Sequence, residues 1–320
     1  MKKILFIILS VVLFSCYDDY IDDYDYSAIY FAYQTDVRTF VVGEGMKIKV
    51  NSILAGVREN TINREVNFKL DNNLVTSDIL ATMKSSSYDY IKSPVSSVSA
   101  LLPIPSDYYS ISNSSKMVIE SGQHTGAVTI KADSAKFLAD AATLVATYAI
   151  PFNITEADAD TILDSKKYTV IGLKYENMLF GNYWHGGVTV VKDAAGNVVN
   201  TIRYYTAIPS PEAKIMALKT VSPNSLTTNK ISDSAGSLKI TLDGNNIIVS
   251  KADGSSVEVL PDGESKYNRA KLLQERKIFL KYKYENADGT TSYATDTLTF
   301  RNRIRDGVNE WQDENPANYR

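Results

Sequence analysis

Apolar and polar residues alternate along most of the chain. The alternation is clearest at residues 46–50, 66–70, 148–154, 238–242 and 278–284. It places one face of each segment on a core and the other in water, as half-buried antiparallel strands require. Many such segments separated by turn residues are typical of sandwiches and barrels. The pattern therefore predicts an all-β chain.

Asp-Gly pairs mark the connections in the C-terminal half. Such pairs adopt the positive φ angles that tight hairpin turns need. Five of them follow residue 240 and none precedes it. They are Asp243-Gly244, Asp253-Gly254, Asp262-Gly263, Asp288-Gly289 and Asp306-Gly307. We therefore expect a hairpin meander in the C-terminal half and longer connections in the N-terminal half.

Only short helices are predicted. Capping residues indicate that they begin at Thr76 or Ser77, at Asp133 or Ser134, and at Ser265. The stretch KSSSYDYIKSPVSSVSA, between the first two, is rich in serine and has no clear period. It is predicted to be a long surface loop.

The N-terminus has the features of an export signal over residues 1–15. Lys2 and Lys3 precede an apolar run, residues 4–13, that is too short to span a bilayer as a helix. The next stretch, LFSC, resembles the lipobox of bacterial lipoproteins. The resemblance implies cleavage before Cys16 and acylation of this cysteine, which gives a stable membrane anchor. The alternative is an ordinary signal peptide followed by an unrelated cysteine.

An acidic segment, residues 16–26, comes after the predicted anchor. Dense like charge favours a solvated tether. The run also resembles the surface-export signal of Bacteroidota lipoproteins, and the two roles are compatible. The candidate signal residues are Asp18, Asp19, Asp22 and Asp23. The predicted location is the outer membrane, with the lipid-anchored protein facing the cell exterior.

Length and composition indicate two globular domains. The chain after the signal is too long for one average domain, and the stretch KYENMLFGN is the predicted boundary. The domains are predicted at residues 27–175 and 178–320. A net charge of −3 argues against a nucleic-acid partner. The single cysteine excludes an internal disulfide.

Several stretches resemble a known family. AIYFAYQTDVRTFVVGEGMKIKVNSILAG, LLPIPSDYYSI, IESGQHTGAVTIKA and YAIPFNIT are similar to an Ig-like N-terminal domain of unknown function in Bacteroidota surface lipoproteins. That domain also precedes the catalytic module of some surface endo-N-acetylglucosaminidases. The region from FGNYWHGG to the C-terminus is similar to the β-rich domain often paired with it. The resemblance implies an Ig-like β-sandwich followed by an antiparallel β-sandwich or β-barrel.

The residues give little support to an enzyme. The chain has two histidines, His124 and His185, and no G-x-S-x-G or phosphate-binding glycine loop. Acidic residues in TEADADTILD have a spacing that hints at calcium, but the central glycine and closing glutamate of an EF-hand are missing. A polar connection between strands is the favoured interpretation. We therefore expect no catalytic residue, no metal and no cofactor.

The aromatic residues are the best candidates for ligand binding. The chain has 21 tyrosines, and the stretch GNYWHGG places Tyr183, Trp184 and His185 between glycines. Aromatic faces can cover the flat C–H faces of sugar rings. The candidate glycan-binding residues are Tyr183, Trp184, His185, Tyr204 and Trp311. For Trp184 alone, a place in the β core is the favoured alternative.

These observations favour a non-catalytic function. The chain is predicted to be a cell-surface lipoprotein that binds glycan or serves as an accessory to a polysaccharide-utilisation system. The alternative is an adhesin or structural surface protein whose partner is another protein. The expected partners are thus a glycan or a surface protein complex, with the outer membrane reached through the lipid anchor.

Overall fold

The structure is a computed structural model that describes residues 26–205, 214–270 and 272–303. Strands dominate it, which confirms the all-β prediction. Within the described ranges, no helix combines the length and apolar character needed to cross a membrane.

The described chain forms two compact units. The first contains the residues up to Arg38 together with Lys47–Leu173, and the second contains Thr39–Met46 together with the residues from Lys174 onward. The sequence placed all of residues 27–175 in one domain, whereas the contacts group Thr39–Met46 with the second unit.

Two sheets form the first unit. Its strands are β1 (Ala28–Tyr30), β2 (Thr35–Val42), β3 (Lys47–Ala55), β4 (Arg64–Leu70), β5 (Leu102–Pro103), β6 (Tyr109–Ile111), β7 (Lys116–Ile119), β8 (Thr125–Ala132), β9 (Tyr148–Ala157), β10 (Thr161–Ile162) and β11 (Tyr168–Asn177). One sheet has the order β10-β1-β3-β8-β6 and the other the order β2-β11-β9-β4-β7, with β5 beside β9. The Ig-like assignment stays a prediction.

Apolar side chains fill both sides of the second of these sheets. On one side, the Phe152 ring of β9 lies 6.3 Å from Phe31 and 5.1 Å from Phe68. On the other, Val37 and Val170 pack with short helices. The helices of this unit are α1 (Ser77–Lys84), α2 (Asp89–Val95) and α3 (Ser134–Ala139). Thr76 caps α1 and Asp133 caps α3, as the sequence predicts.

The loop predicted for KSSSYDYIKSPVSSVSA is wrong in part. This stretch contains α2, and Ile91, Val95 and Val98 are buried in the cluster that covers Val37. Their spacing of four and three residues is that of one helix face. The surrounding serines obscure this short apolar pattern, and Pro94 lies inside the helix.

The second unit is an antiparallel meander. Its strands are β12 (Gly181–Lys192), β13 (Val198–Tyr204), β14 (Lys214–Ser222), β15 (Ser225–Thr228), β16 (Lys230–Ile231), β17 (Ser234–Ala235), β18 (Leu238–Asp243), β19 (Asn246–Lys251), β20 (Val259–Pro261), β21 (Ser265–Tyr267), β22 (Lys277–Glu285) and β23 (Thr291–Asn302). The order β12-β14-β15-β18-β19-β21-β22-β23 closes because β23 also pairs with β12. These eight strands form a closed ring, so the C-terminal domain is a β-barrel and not a β-sandwich, the other predicted alternative.

Two of the predicted Asp-Gly turns are hairpin turns of the meander. Gly244 joins β18 to β19 with φ +62°, and Gly289 joins β22 to β23 with φ +79°. The helix predicted from Ser265 is wrong, because residues 265–267 form β21. The Ser265 hydroxyl accepts a hydrogen bond from the Lys281 N–H at 2.8 Å, which ties this segment to β22.

A buried ion pair also belongs to the second unit. The Arg276 Nη2 atom lies 2.7 Å from the Glu44 Oε1 atom, and both side chains are almost completely buried. The Arg276 Nε–H donates to the Ala270 carbonyl oxygen at 3.0 Å. Residue 44 is thus joined to a residue more than two hundred positions later in the sequence.

The packing of α2 can be tested by substitution. Ile91→Ala should lower the free energy of unfolding by about 2–5 kcal/mol, because Ile91 is buried and its loss leaves a cavity. Lys92→Ala, at the exposed neighbour, should change it by less than about 0.5 kcal/mol. Denaturant unfolding of the full-length chain measures both. Equal, small effects would mean that the segment is a surface loop.

Candidate functional site

The interior of the ring contains a polar cluster around Asp296. On β12, Tyr183, His185 and Thr189 are buried, as is Asp296 on β23. We use the name Asp296 cluster for Asp296, His185, Thr189, Tyr204, Ser232 and Tyr282. All six residues are buried. The cluster therefore presents no surface to an outside ligand.

Gly187 makes room for the cluster. In the strand register it stands between Tyr204 of β13 and Asp296 of β23. A Cβ atom there would lie 2.3 Å from the Thr295 carbonyl oxygen and 2.8 Å from the Asp296 Oδ1 atom. Because glycine has no side chain, the Tyr204 hydroxyl reaches across β12 and donates to Asp296 Oδ1.

Hydroxyl groups satisfy both oxygens of the Asp296 carboxyl. The Tyr282 hydroxyl donates to Oδ2 at 2.7 Å and accepts from the Ser232 N–H at 2.6 Å. The Ser232 hydroxyl is hydrogen-bonded to Thr189 and lies 3.2 Å from the Tyr204 hydroxyl. Hydrogen-bond partners of this kind are what make burial of a carboxyl group tolerable.

His185 completes the cluster. Its Nε2 atom lies 3.2 Å from Asp296 Oδ2, within ion-pair distance but without hydrogen-bond alignment. Its ring packs against the Tyr204 ring at 4.8 Å between centroids. The Nδ1 atom has no hydrogen-bond partner among the described residues. His185 thus contributes packing and electrostatic contact inside the ring.

The structure separates the residues proposed for glycan binding. Tyr183 is buried, and its hydroxyl donates to the Leu179 carbonyl oxygen at 2.9 Å. His185 and Tyr204 belong to the Asp296 cluster. None of these three side chains can therefore cover a sugar ring from outside, because alternation on β12 and the Asp296 hydrogen bonds direct them inward.

Trp184 points the other way from Tyr183 and His185. It is half-buried, and the Arg301 guanidinium lies 5.0 Å from its ring centroid. It is therefore not part of the core cluster that contains Tyr183, and the core alternative favoured from the sequence does not describe it. Trp311, Cys16, Asp18, Asp19, Asp22 and Asp23 lie outside the described residues.

The acidic stretch before β11 forms structural hydrogen bonds. The Asp158 carboxylate accepts from the Glu65 N–H at 2.8 Å, and the Asp160 carboxylate accepts from the Ser27 hydroxyl at 2.6 Å. These contacts fit a polar connection between strands. In the described part of the chain, no group of three or more His, Cys, Asp or Glu side chains is placed to hold a metal ion.

A cleft of about 210 Å³ lies at an edge of the first unit. On its β3 side, β1 pairs with Ile53–Ala55 at the end of that strand, and then residues 31–34 cross to the start of β2. The Gln34 side chain holds this crossing by donating to the Phe31 carbonyl oxygen at 3.1 Å. No strand in the described part of the chain therefore covers this edge of β3 at Asn51, and the cleft lies there.

The mouth of the cleft combines an aromatic ring with polar groups. Tyr33 is 51% exposed, and Asn51 and Thr125 are also exposed. Thr169 and Arg38 also line the cleft and are less exposed than these three residues. This arrangement of an apolar face beside a few hydrogen-bonding groups is typical of small-ligand sites.

Asp36 and Arg38 form an ion pair in the wall of the cleft. The Arg38 Nε atom lies 2.8 Å from the Asp36 Oδ2 atom, and the Val37 N–H donates to Oδ1 at 2.9 Å. Burial raises the pKa of the Asp36 carboxyl, although Arg38 and a hydrogen bond with Tyr90 oppose the shift. Neither Nε nor Nη1 of Arg38 has an aligned hydrogen-bond acceptor among the described residues.

Sequence reasoning missed this cleft. One signal was present, because Asp36 and Arg38 stand two residues apart on one face of a strand whose other face carries Val37. The other lining groups come from β3, β8 and β11. Only the sheet order brings these groups together.

Comparisons with known proteins support the fold. Residues 23–161, less than half of the chain, match a family model whose description reads "-like, N-terminal domain". A Bacteroides ovatus protein of unknown function is 21% identical, with a TM-score of 0.60 over 89% of this chain and 97% of that one. A second, also of unknown function, is 13% identical, with a TM-score of 0.43 over 90% and 99%. No curated protein matches the chain.

The similarity to the first of these proteins concerns the fold alone. The first of them shows that a protein of Bacteroides ovatus has this fold over nearly its whole length. Neither description of these structures gives a ligand or a reaction.

The raised pKa values of Tyr204 and Tyr282 in the Asp296 cluster predict that the second unit is sensitive to alkali. Burial, and then Asp296, raise the pKa of Tyr204 and Tyr282 above the usual 10.0. Above pH 10 the unfolded chain loses protons that the folded chain keeps, so stability falls as pH rises. Each of these tyrosines contributes a slope of about 1.36 kcal/mol per pH unit.

Tyr204→Phe should therefore reduce the slope with which stability falls as pH rises. The variant should be less stable than the wild type at pH 8, because Asp296 loses a donor, by about 1–3 kcal/mol. Between pH 10 and 12 its stability should fall less steeply. Denaturant unfolding followed by tryptophan fluorescence measures both slopes. Parallel pH curves for the two proteins would contradict the expected role of Tyr204.

Proposed function

We propose that the protein is a non-catalytic glycan-binding lipoprotein of the cell surface, and that the cleft of the first unit holds a sugar ring. The observation that carries the proposal is the exposed Tyr33 ring beside the hydrogen-bonding groups of Asn51, Thr125 and Arg38. A sugar can lay its C–H face on the tyrosine while its hydroxyls bond to the polar groups.

The size of the cleft favours a single ring. Its volume of about 210 Å³ is smaller than the roughly 300–1,000 Å³ of pockets for drug-sized ligands. A terminal residue or a short branch of a glycan suits this space better than an extended chain enclosed on all sides.

The acid groups of the cleft favour binding over hydrolysis. Glycosidases generally use two carboxyl groups that flank the scissile bond. Among the described residues that line the cleft, Asp36 alone carries a carboxyl. Its oxygens are engaged by the Val37 N–H and by Arg38. It is therefore placed to orient Arg38, and no partner carboxyl in the lining could take part in hydrolysis.

Tyr33→Ala tests the proposal. If the ring stacks on sugar as aromatic rings stack on bases, the substitution should weaken binding by about 1–3 kcal/mol. The melting temperature should change little, because Tyr33 is half-exposed. Tyr205→Ala is the matched control, since Tyr205 is 65% exposed and lies in the second unit. A glycan array followed by calorimetry on the full-length chain measures the effect.

Two outcomes would contradict glycan binding at the cleft. One is the absence of any binding on the array. The other is binding that Tyr33→Ala leaves unchanged, which would place the glycan elsewhere on the protein.

A protein partner is the second candidate, and β13 favours it. Among the described strands, β13 pairs with β12 alone, and its apolar residues Val198, Val199 and Ile202 are exposed. An edge strand with free backbone groups can accept a strand of another protein. Loss of binding to a protein partner in Val199→Lys, with glycan binding intact, would favour this adhesin function.

The anchor belongs to the same proposal. The single Cys16 after a short apolar run supports acylation and display on the outer membrane, with Asp18, Asp19, Asp22 and Asp23 as the export signal. Cys16→Ala should abolish incorporation of labelled fatty acid and release the protein from the membrane fraction. A mature N-terminus at another residue, without an acyl mass, would contradict the lipoprotein assignment.

A further inference from the structure

Arg38 gives the cleft a preference for ligands with hydrogen-bond acceptors, which the Tyr33 ring alone would not give. A guanidinium has five N–H donors arranged in a planar fork. The Asp36 carboxylate lies near Nε, but Nη1 is buried and has no acceptor among the described residues. A buried donor without a partner is costly. An acceptor supplied by a ligand in the cleft would remove this cost.

The polar groups of the cleft are mainly donors or can act as donors. The Asn51 amide and the hydroxyls of Thr125 and Thr169 can all donate a hydrogen bond. The acceptor oxygens of Asp36 are already used within the wall. Lys49 is exposed two residues before Asn51, on the same face of β3. The cleft thus offers a guanidinium and several hydrogen-bond donors to a ligand that brings oxygens.

From these contacts we infer that the cleft recognises a sugar that carries a carboxylate, with Arg38 as the residue that binds this group. The inference rests on the proposed function and specifies its ligand class. Charge-assisted hydrogen bonds between guanidinium and carboxylate are about twice as strong as neutral ones and can form in pairs. Neutral sugars would bind through Tyr33 and the hydroxyl contacts alone.

Asp36 acts here as a positioning residue. Its carboxyl fixes the Arg38 side chain from one side, and the Val37 N–H fixes Asp36 in turn. The side chain of Arg38 is only 16% exposed, so its guanidinium has little freedom to turn towards water. The guanidinium is therefore held in the wall before a ligand arrives, which lowers the entropic cost of binding.

Matched pairs of sugars test the inference. The probes are methyl β-glucuronide against methyl β-glucoside, and methyl α-galacturonide against methyl α-galactoside, which differ only at C6. NMR titration of the full-length chain gives both affinities in each pair. In at least one pair we expect the acidic sugar to bind about tenfold or more tightly. The preference should shrink at high salt.

Two variants assign the preference to Arg38. Arg38→Gln should remove the difference between acidic and neutral sugar. Because this change leaves Asp36 buried without its partner, Asp36→Asn with Arg38→Gln is the second variant, in which neither side chain carries charge. It should bind both sugars of a pair equally, and its melting temperature should be close to that of the wild type.

The possible results separate this inference from the proposed function. Equal or weaker binding of the acidic sugars, with neutral binding that depends on Tyr33, would overturn the inference and leave glycan binding standing. An acid preference that survives Arg38→Gln would overturn the role of Arg38. Failure of all four sugars to bind would overturn both the inference and the assignment of the cleft.

Discussion

The burial of the Asp296 carboxyl constrains the whole second unit. A carboxyl group inside an apolar ring must find partners, because leaving it unpaired costs several kcal/mol. Its donors come from different strands, with Tyr204 on β13 and Tyr282 on β22. Gly187 must lack a side chain for the Tyr204 hydroxyl to arrive. A single polar group therefore links four neighbouring strands, β13, β12, β23 and β22, and through Tyr282 it also holds the loop at Ser232.

The cleft of the first unit arises from an equally local cause. β1 is short, so the chain leaves β3 early and crosses to the other sheet through residues 31–34. That crossing exposes Tyr33 and opens the edge beside Asn51. The same route places Asp36 and Arg38 at the start of β2. The path of the backbone, rather than an inserted loop, thus creates the place where ligand chemistry is available.

Much of the fold could be predicted from the sequence, but little of the site. Alternation and Asp-Gly turns determine the meander, since both act locally, as Gly244 and Gly289 show. α2 was not predicted, because its few apolar residues are surrounded by serine. Tyr183 and His185 looked like surface aromatics because a run of neighbours does not say which face is buried. The cleft joins residues from five segments, and pairing between distant strands has no local signature.

The pair formed by Glu44 and Arg276 has a consequence for how the protein can be divided. A fragment that begins at Lys174 would contain all eight strands of the ring but not Glu44, so Arg276 would keep a buried charge without its acid. Removal of one partner from a buried pair is strongly destabilising. During synthesis, the ribosome releases Glu44 long before Arg276. The second unit therefore needs a segment that is synthesised near the beginning of the chain. A fragment that starts at Lys174 should fold only if Thr39–Met46 is included with it.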